Sequence, residues 1–375
     1  MGAIHPITWA AILGLGDYLS RKALAEGGKS PSVGDLLGYL IKAYEIQGVL
    51  ALENSFNGVG LDHVLLVKVA SAGVSALMLG QTKQQIIDSL SQAWVDGAPL
   101  RTYRQAPNTG LRKSWAAGDA SSRGLHLAML VSQGEGGLPS VLSAPTWGFY
   151  ETLFNGSRFR FQRDYGSYVM ENVLFKVRFP AEFHAQTAVE CAMMLHHQVK
   201  HRIDEIERIE VHTQEAGLRI ISKEGPLHNS ADRDHCLQYM IAVPLIFGHL
   251  RAEDYADDIA ADPRIDALRE RMRVCEEPRY TKDYHDPNKR AIGNAVQVFF
   301  NDGSSTSRVE LCYPIGHRRR RAEAIPLLEA KFLNALNSRF TQEQVQRIQT
   351  LCADQQALQN VPVCRFMDLF ALQQA

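Results

Sequence analysis

Apolar residues recur at helical spacing through most of the first 165 residues of the chain. This spacing predicts helices over residues 12–26, 33–46, 63–79, 82–94, 116–133 and 145–153. Glycine and proline clusters, such as Gly27-Gly28 and Pro107-Asn-Thr-Gly110, separate the predicted helices. The alanine-, glycine- and serine-rich stretch 67–76 suits a helix that packs closely against others. The first part of the chain is therefore predicted to be a helical domain.

The pattern changes after about residue 159. Residues 206–212 alternate between apolar and polar, which predicts a half-buried strand. Residues 294–300 and 307–313, joined by a turn-forming Asn-Asp-Gly-Ser sequence, predict a β-hairpin. Helices are predicted over 184–200 and 231–250, among these strands. This part of the chain is therefore predicted to be an α+β domain.

Helical spacing returns after Pro314-Ile-Gly-His317, with predicted helices over 324–336 and 341–351. The predicted fold class is mainly α with an inserted α+β domain. The predicted organisation is a helical domain over 1–169, an α+β lid over 170–313, and a return to the helical domain over 314–375.

Composition narrows the class of protein. The chain has 375 residues, 45% of them hydrophobic and 22% charged, and a formal net charge of −1. The hydrophobic and charged fractions are ordinary for a globular protein. The net charge near zero gives no overall positive potential that would attract a nucleic acid or an anionic membrane. The longest apolar stretch, 63–80, contains Lys68, which favours a buried helix over a membrane span. The first residues do not resemble a secretory signal.

The six cysteines are scattered, and none forms a CxxC pair, while the 13 histidines form no HExxH motif. The sequence therefore predicts no metal site, no iron–sulfur cluster and no cofactor, although distant ligands converging in the fold stay an alternative. The favoured interpretation of the six cysteines is that they are buried or surface thiols of a protein in a reducing compartment.

Two cationic segments carry the candidate chemistry. Residues 176–188 combine Lys176, an acid and His184 around a proline-stopped extended segment that leads into a small-residue helix. Residues 108–118 deliver Arg112 and Lys113 to the opening of another helix. Ammonium groups and helix N-termini both favour bound carboxylates. The two segments together predict a pocket for a small polyanion.

The sequence alone leaves the roles of these residues open. Lys113 is either a solvated cation or a ligand for a substrate carboxylate. His184 is either a structural histidine near a helix start or a general base, because imidazole titrates near neutral pH. Lys176 lies in an apolar run, where its amine must reach solvent or an acidic partner.

Three further features have a structural and a functional interpretation. Tyr239 lies on an apolar helix, where core packing competes with a hydroxyl that reaches a pocket. His63 begins the buried helix and either caps it or lines a pocket. The run Arg318–Arg321 favours a solvated or interface face over a nucleic-acid patch.

Several longer motifs resemble the MmgE/PrpD family, from about residue 10 to the C-terminus. They are residues 51–57 (ALENSFN), 62–71 (DHVLLVKVAS), 108–119 (NTGLRKSWAAGD), 165–172 (YGSYVMEN), 179–184 (FPAEFH), 231–236 (ADRDHC) and 313–317 (YPIGH). The resemblance implies a helical domain with an inserted α+β lid, a cleft between them, and usually a homodimer. It also implies metal-independent dehydration of 2-methylcitrate to 2-methyl-cis-aconitate in propionate degradation.

The same resemblance suggests roles for individual residues. His184 is assigned proton transfer, and Tyr239 is assigned assistance to the departing hydroxyl. Lys113 is assigned to this catalytic group and also to carboxylate binding. Lys176 is assigned to carboxylate binding. Pocket positions are further assigned to His63, Arg112 and His5. The implied partner is a small tricarboxylate, with no nucleic acid and no membrane.

The beginning of the chain departs from the family pattern. The family has a helical portion before the equivalent of Met1, and of its polar turn only His5-Pro6 remains here. The sequence therefore predicts a shortened form without an expected pocket aspartate. Two alternatives to the hydro-lyase follow: a relative that decarboxylates cis-aconitate, and a catalytically silent form that binds polycarboxylates or dimerises. The expected location is the cytoplasm, with a mitochondrial matrix form as the alternative.

Overall fold

The structure, a computed structural model, describes residues 8–105 and 107–372. The chain forms two compact units. The first comprises the described parts of Met1–Glu171 and Ala330–Ala375, and the second comprises Asn172–Glu329. The two compact units divide at residues 172 and 329. The predicted domain borders at residues 170 and 313 stay a proposal.

The first unit is helical. The helices of its first chain segment are α1 (Thr8–Ala25), α2 (Val33–Glu53), α3 (Val64–Met78), α4 (Lys83–Val95), α5 (Arg112–Ser132), α6 (Phe149–Leu153) and α7 (Tyr168–Asn172). Capping residues set the starts of two of them. The Ser32 hydroxyl accepts from the Asp35 amide and the Asp35 carboxylate accepts from Ser32 N, which is the capping box that begins α2. Thr82 and Gln85 begin α4 in the same way.

Helix α3 lies at the centre of this unit. All of its residues from Val64 to Ala76 are buried, which explains why the sequence is apolar around the helix and not on one face only. Small residues let α5 approach it closely. A Cβ atom built on Gly124 of α5 would lie 2.5 Å from the Lys68 carbonyl oxygen and 2.9 Å from Ala72 N. Glycine at 124 is therefore required by the packing of the two helix backbones.

We expect Gly124→Ala to lower the free energy of unfolding by about 1–3 kcal/mol, because the added methyl group pushes the two backbones apart. Gly14→Ala on α1 is the matched control, since a Cβ there meets no atom within 4 Å. The control should gain up to about 1 kcal/mol from its better helix propensity. Urea unfolding measures both values. A Gly124→Ala protein as stable as the control would contradict this account of the packing.

The second unit contains a four-stranded sheet. Its strands are β1 (Ile206–Thr213), β2 (Met272–Glu276), β3 (Asn294–Phe300) and β4 (Val309–Leu311), in the order β2-β1-β3-β4. Strand β1 pairs parallel with β2 and antiparallel with β3, opposing Val211 to Val274 and Val296. The predicted hairpin is the antiparallel pair β3 and β4.

The helices of the second unit are α8 (Gln186–Val199), α9 (Glu215–Ile221), α10 (Ser230–Arg233), α11 (Leu237–Phe247), α12 (Asp257–Ala260), α13 (Pro263–Glu270), α14 (Pro278–His285) and the first part of α15 (Arg321–Asn337). The end of α15 and the helices α16 (Gln342–Ala353), α17 (Gln355–Asn360) and α18 (Val363–Asp368) belong to the first unit. One apolar core joins α8 and α11 to the inner face of the sheet, with Leu195, Met240 and Val298 fully buried.

The predicted fold class, mainly α with an α+β part, is confirmed. Several elements differ from the prediction, and the helices without a predicted counterpart are α7, α9, α12, α13, α14, α17 and α18. The helix predicted over 231–250 is divided into α10 and α11, because Cys236 adopts an extended conformation between them. Strand β2 has no counterpart in the prediction. Within the described ranges no helix is long and apolar enough to cross a membrane.

Candidate active site

The chain positions His184 at the start of α8 through local hydrogen bonds. After Pro180, Glu182 caps the short 3-10 turn Phe183–Ala185, because its carboxylate accepts from the His184 amide at 2.7 Å. The Asn294 side chain of β3 fixes the other side of this turn, since its Nδ2 donates to the His184 carbonyl at 2.8 Å. These contacts place the histidine where the first residue of β3 meets the start of α8.

The imidazole of His184 contacts the same carboxylate. Its Nδ1 lies 2.9 Å from both oxygens of Glu182, and the His184 side chain is 8% exposed. Burial raises the pKa of Glu182, but the charge and hydrogen bonds of His184 and the charge of His235 outweigh it and lower this pKa to about 2. Glu182 is therefore ionised at neutral pH and accepts only, so Nδ1 carries a proton and donates.

Two residues that the sequence analysis did not select lie near this pair. The Tyr284 hydroxyl of α14 lies 3.4 Å from His184 Nε2. Burial and the charge of Glu182 raise the pKa of Tyr284 to about 12, so its hydroxyl keeps its proton. His235 contributes, after His184, to the lowered pKa of Glu182, and its own Nδ1 lies 3.2 Å from Asp234 Oδ1. His235 belongs to a motif of the family resemblance, whereas no sequence signal connects Tyr284 to a residue 100 positions away.

Lys176 lies on the same segment of the second unit as His184. Its side chain is exposed, and its Nζ lies 4.8 Å from the centre of the Phe183 ring, which is a cation–π distance. Phe183, whose ring contacts this ammonium group, immediately precedes His184 in the chain. The role of Lys176 as a carboxylate ligand stays a prediction. Its exposed side chain suits that role.

Tyr239 occupies the core of the second unit. It is 1% exposed, its hydroxyl donates to the Asp254 carbonyl at 2.6 Å, and its ring stacks on Tyr255 at 5.8 Å. Burial raises its pKa to about 12. Tyr239 also lines a cavity of about 170 Å³ together with Arg233 and Asp257. These contacts are those of a packing residue, and the catalytic role of Tyr239 stays a prediction.

A buried ionic cluster surrounds Asp62 in the first unit. Asp62 is fully buried before α3, and its carboxylate accepts from Arg104 Nε and from the Val64 amide. Arg101 approaches it at 3.7 Å and His63 Nδ1 at 3.3 Å. Burial raises the pKa of Asp62, but the charges of His63 and Arg104 lower it to about 2. Asp62 therefore orients His63 and two arginines.

Arg112 and Lys113 begin α5. Arg112 is exposed, pairs with Asp119 at 3.3 Å, and lies 4.3 Å above the Trp115 ring. It also lies 5.7 Å from the ring centre of Tyr103, which Arg104 contacts from 5.2 Å. Lys113 is partly exposed, and its amide donates to the Gly110 carbonyl.

Arg112 and Arg104 thus both lie near the Tyr103 ring, and Asp62 contacts Arg104 and His63. Lys176 lies near the ring of Phe183, the residue before His184. His5 lies outside the described residues. Asp62, Arg104, Glu182, Tyr284 and His235 are the members of these groups that sequence reasoning did not select.

The run Arg318–Arg321 has structural contacts in the second unit. Arg318 and Arg319 donate to the Asn288 carbonyl, and Arg320 pairs with Glu190 at 2.9 Å. Arg321 donates to the Val173 carbonyl. No group of three or more histidine, cysteine, aspartate or glutamate side chains able to hold a metal ion occurs among residues 8–105 and 107–372.

Comparison with known families identifies the class of the protein. The MmgE/PrpD N-terminal domain matches residues 3–162, and the MmgE/PrpD C-terminal domain matches residues 179–356. The chain therefore belongs to the MmgE/PrpD family.

Individual relatives share more than half of the sequence. The chain is 57% identical to 2-methylcitrate dehydratase of Salmonella typhimurium, over 96% of this chain and 75% of the relative. It is also 57% identical to the mitochondrial 2-methylcitrate dehydratase of Yarrowia lipolytica, over 96% of this chain and 69% of that protein. A probable 2-methylcitrate dehydratase of Saccharomyces cerevisiae is 54% identical over 96% of this chain and 72% of the relative.

Proposed function

We propose that this chain is a hydro-lyase that dehydrates 2-methylcitrate to 2-methyl-cis-aconitate, a step of propionate catabolism. The observation that carries the proposal is the 57% identity to a bacterial 2-methylcitrate dehydratase over 96% of the chain. The ionised Glu182 beside His184 supports it, because the pair has the chemistry of an oriented general base.

The reaction needs three kinds of group. A base takes a proton from the carbon next to a carboxylate, an acid assists the departing hydroxide, and cations hold the carboxylates. We assign the base to His184, whose Nδ1 is held by Glu182. Lys176 of the same unit is proposed as a carboxylate ligand. Lys113, Arg112 and His63 of the other unit are proposed as further substrate-binding residues.

An absorbance assay tests the proposed function. Product formation creates a carbon–carbon double bond conjugated with a carboxylate, so ultraviolet absorbance rises as the purified chain turns over 2-methylcitrate. We expect turnover without added metal and an unchanged rate after dialysis against a chelator. Carbon dioxide released from cis-aconitate would instead support the decarboxylase, and binding of 2-methylcitrate by calorimetry without turnover would support the silent form.

The assembly and location belong to the same proposal. The family resemblance supports a homodimer, which sedimentation of the purified chain would test. It also supports a location in the cytoplasm or, in a eukaryote, the mitochondrial matrix. The relative in Yarrowia lipolytica is named as a mitochondrial protein.

A further inference from the structure

The contacts of His184 divide its two ring nitrogens between different partners. Nδ1 faces the two oxygens of Glu182 at 2.9 Å, and Nε2 faces the Tyr284 hydroxyl at 3.4 Å. A carboxylate that accepts at Nδ1 fixes the tautomer with its lone pair on Nε2, as the aspartate does in a Ser-His-Asp triad. The basic nitrogen and a phenolic O–H therefore lie side by side.

We propose that Glu182, His184 and Tyr284 form a proton relay for the elimination, in which Glu182 positions the base and Tyr284 protonates the leaving hydroxyl. This inference rests on the proposed function. It gives Tyr284 the role that the sequence analysis assigned to Tyr239, whose hydroxyl donates to the Asp254 carbonyl in the core.

The relay balances in three transfers. His184 Nε2 takes the proton from substrate carbon, and the electron pair of that C–H bond forms the carbon–carbon double bond as the C–O bond breaks. The Tyr284 O–H proton goes to the departing oxygen, which leaves as water. The imidazolium then returns its proton to the Tyr284 phenolate. All enzyme groups regain their starting state, and no further reactant is required.

The surroundings of Tyr284 suit this role. Burial and Glu182 disfavour the phenolate, whereas the guanidinium groups of Arg290 and Arg219 favour it, and Glu215 again disfavours it. The phenol thus remains protonated at rest, while two cations stabilise the charge that develops when its proton leaves. Around the base, His184 and His235 are the described groups that lower the pKa of Glu182 through charge, which each has only when protonated.

Two isosteric substitutions test the relay by steady-state kinetics with 2-methylcitrate. Tyr284→Phe removes only the hydroxyl, and Glu182→Gln keeps the shape of the side chain but removes its charge and one of its two acceptor oxygens. We expect each to lower kcat by about 10- to 100-fold, with KM within about threefold, because the groups act in the reaction and not in binding. Tyr255→Phe is the matched control, since its buried hydroxyl makes no hydrogen bond in the described residues, and it should keep the parental kcat.

The positioning role of Glu182 has a readout that a structural role would not move. In Glu182→Gln the acidic limb of kcat/KM against pH should move to lower pH, because the carboxylate that stabilises the imidazolium is absent. Nitrogen-15 spectra of labelled histidine should also show a smaller Nδ1–H population for His184, whose signal is assigned by its loss in His184→Asn. Equal melting temperatures of the parent and the variants would show that the loss of kcat does not come from a loss of stability.

The outcomes separate the relay from the proposed function. Parental kcat in both Tyr284→Phe and Glu182→Gln would overturn the relay and leave the hydro-lyase activity standing. A loss of kcat in Tyr239→Phe but not in Tyr284→Phe would do the same. A parent chain that does not dehydrate 2-methylcitrate would overturn the proposed function, and the relay with it.

Discussion

Replacement of His184 with asparagine is expected to lower kcat for 2-methylcitrate by about 10²- to 10⁴-fold, the usual contribution of a general base. Asparagine is chosen because its Nδ2 can replace the Nδ1–H that donates to Glu182. The cap of the 3-10 turn uses the backbone amide of residue 184 and is preserved, whereas the basic Nε2 and the ring contact with Tyr284 are removed. Turnover is followed by the ultraviolet absorbance of the product.

The matched control for this prediction is His197→Asn. His197 lies on α8, the helix that follows His184, but its side chain is exposed. This variant should turn over substrate within about twofold of the parent, because surface substitutions away from a site have small effects. A His184→Asn enzyme that stays within a few-fold of the control would remove His184 from the reaction.

Sequence periodicity predicted most of the secondary structure because the buried faces are regular. Helix α4 was predicted over 82–94 and spans Lys83–Val95, and strand β3 matches its predicted range. Strand β2 was not predicted because it lies at the sheet edge with most of its side chains partly or fully exposed. Its apolar alternation is limited to Met272 and Val274, which are only partly buried against the core, and this is too short a pattern to predict a strand.

The candidate site was predictable only in part. His184 and Lys176 were selected because a cation, an acid and an imidazole lie within nine residues of one another. Tyr284 was not, because its proximity to His184 depends on how α14 packs in the folded unit. Conversely, the apolar helix around Tyr239 correctly predicts burial, and burial is what commits that hydroxyl to a backbone carbonyl. Local patterns thus indicate which residues have chemistry, whereas tertiary packing decides which of them meet.

The second large effect is expected from Asp62→Asn, which should lower the free energy of unfolding by about 3–5 kcal/mol. Asp62 is 0% exposed and Arg104 is 5% exposed, so the substitution leaves a buried guanidinium without its counter-charge. Asparagine keeps an oxygen that can accept from the Val64 amide, so the start of α3 retains its contact. Urea unfolding of the parent and the variant measures the difference.

Asp119→Asn is the control, because Asp119 also pairs with an arginine but is 57% exposed. Water screens that pair, so we expect a change within about 1 kcal/mol. Adding Arg104→Gln to Asp62→Asn should recover part of the loss, since the double variant no longer buries an unpaired charge. Equal losses in Asp62→Asn and Asp119→Asn would contradict the buried cluster.

The cluster also predicts the sign of a pH effect. The pKa of Asp62 is about 2 in the folded chain, below its ordinary value of 3.8. The unfolded chain therefore binds the proton first on acidification, and the stability that Asp62 contributes is complete above about pH 4 and is lost as pH falls through 2. The free energies of unfolding of the parent and Asp62→Asn should thus be most different near neutral pH and converge towards pH 2. A difference that grows on acidification would show that Asp62 is not held as a carboxylate by His63 and Arg104.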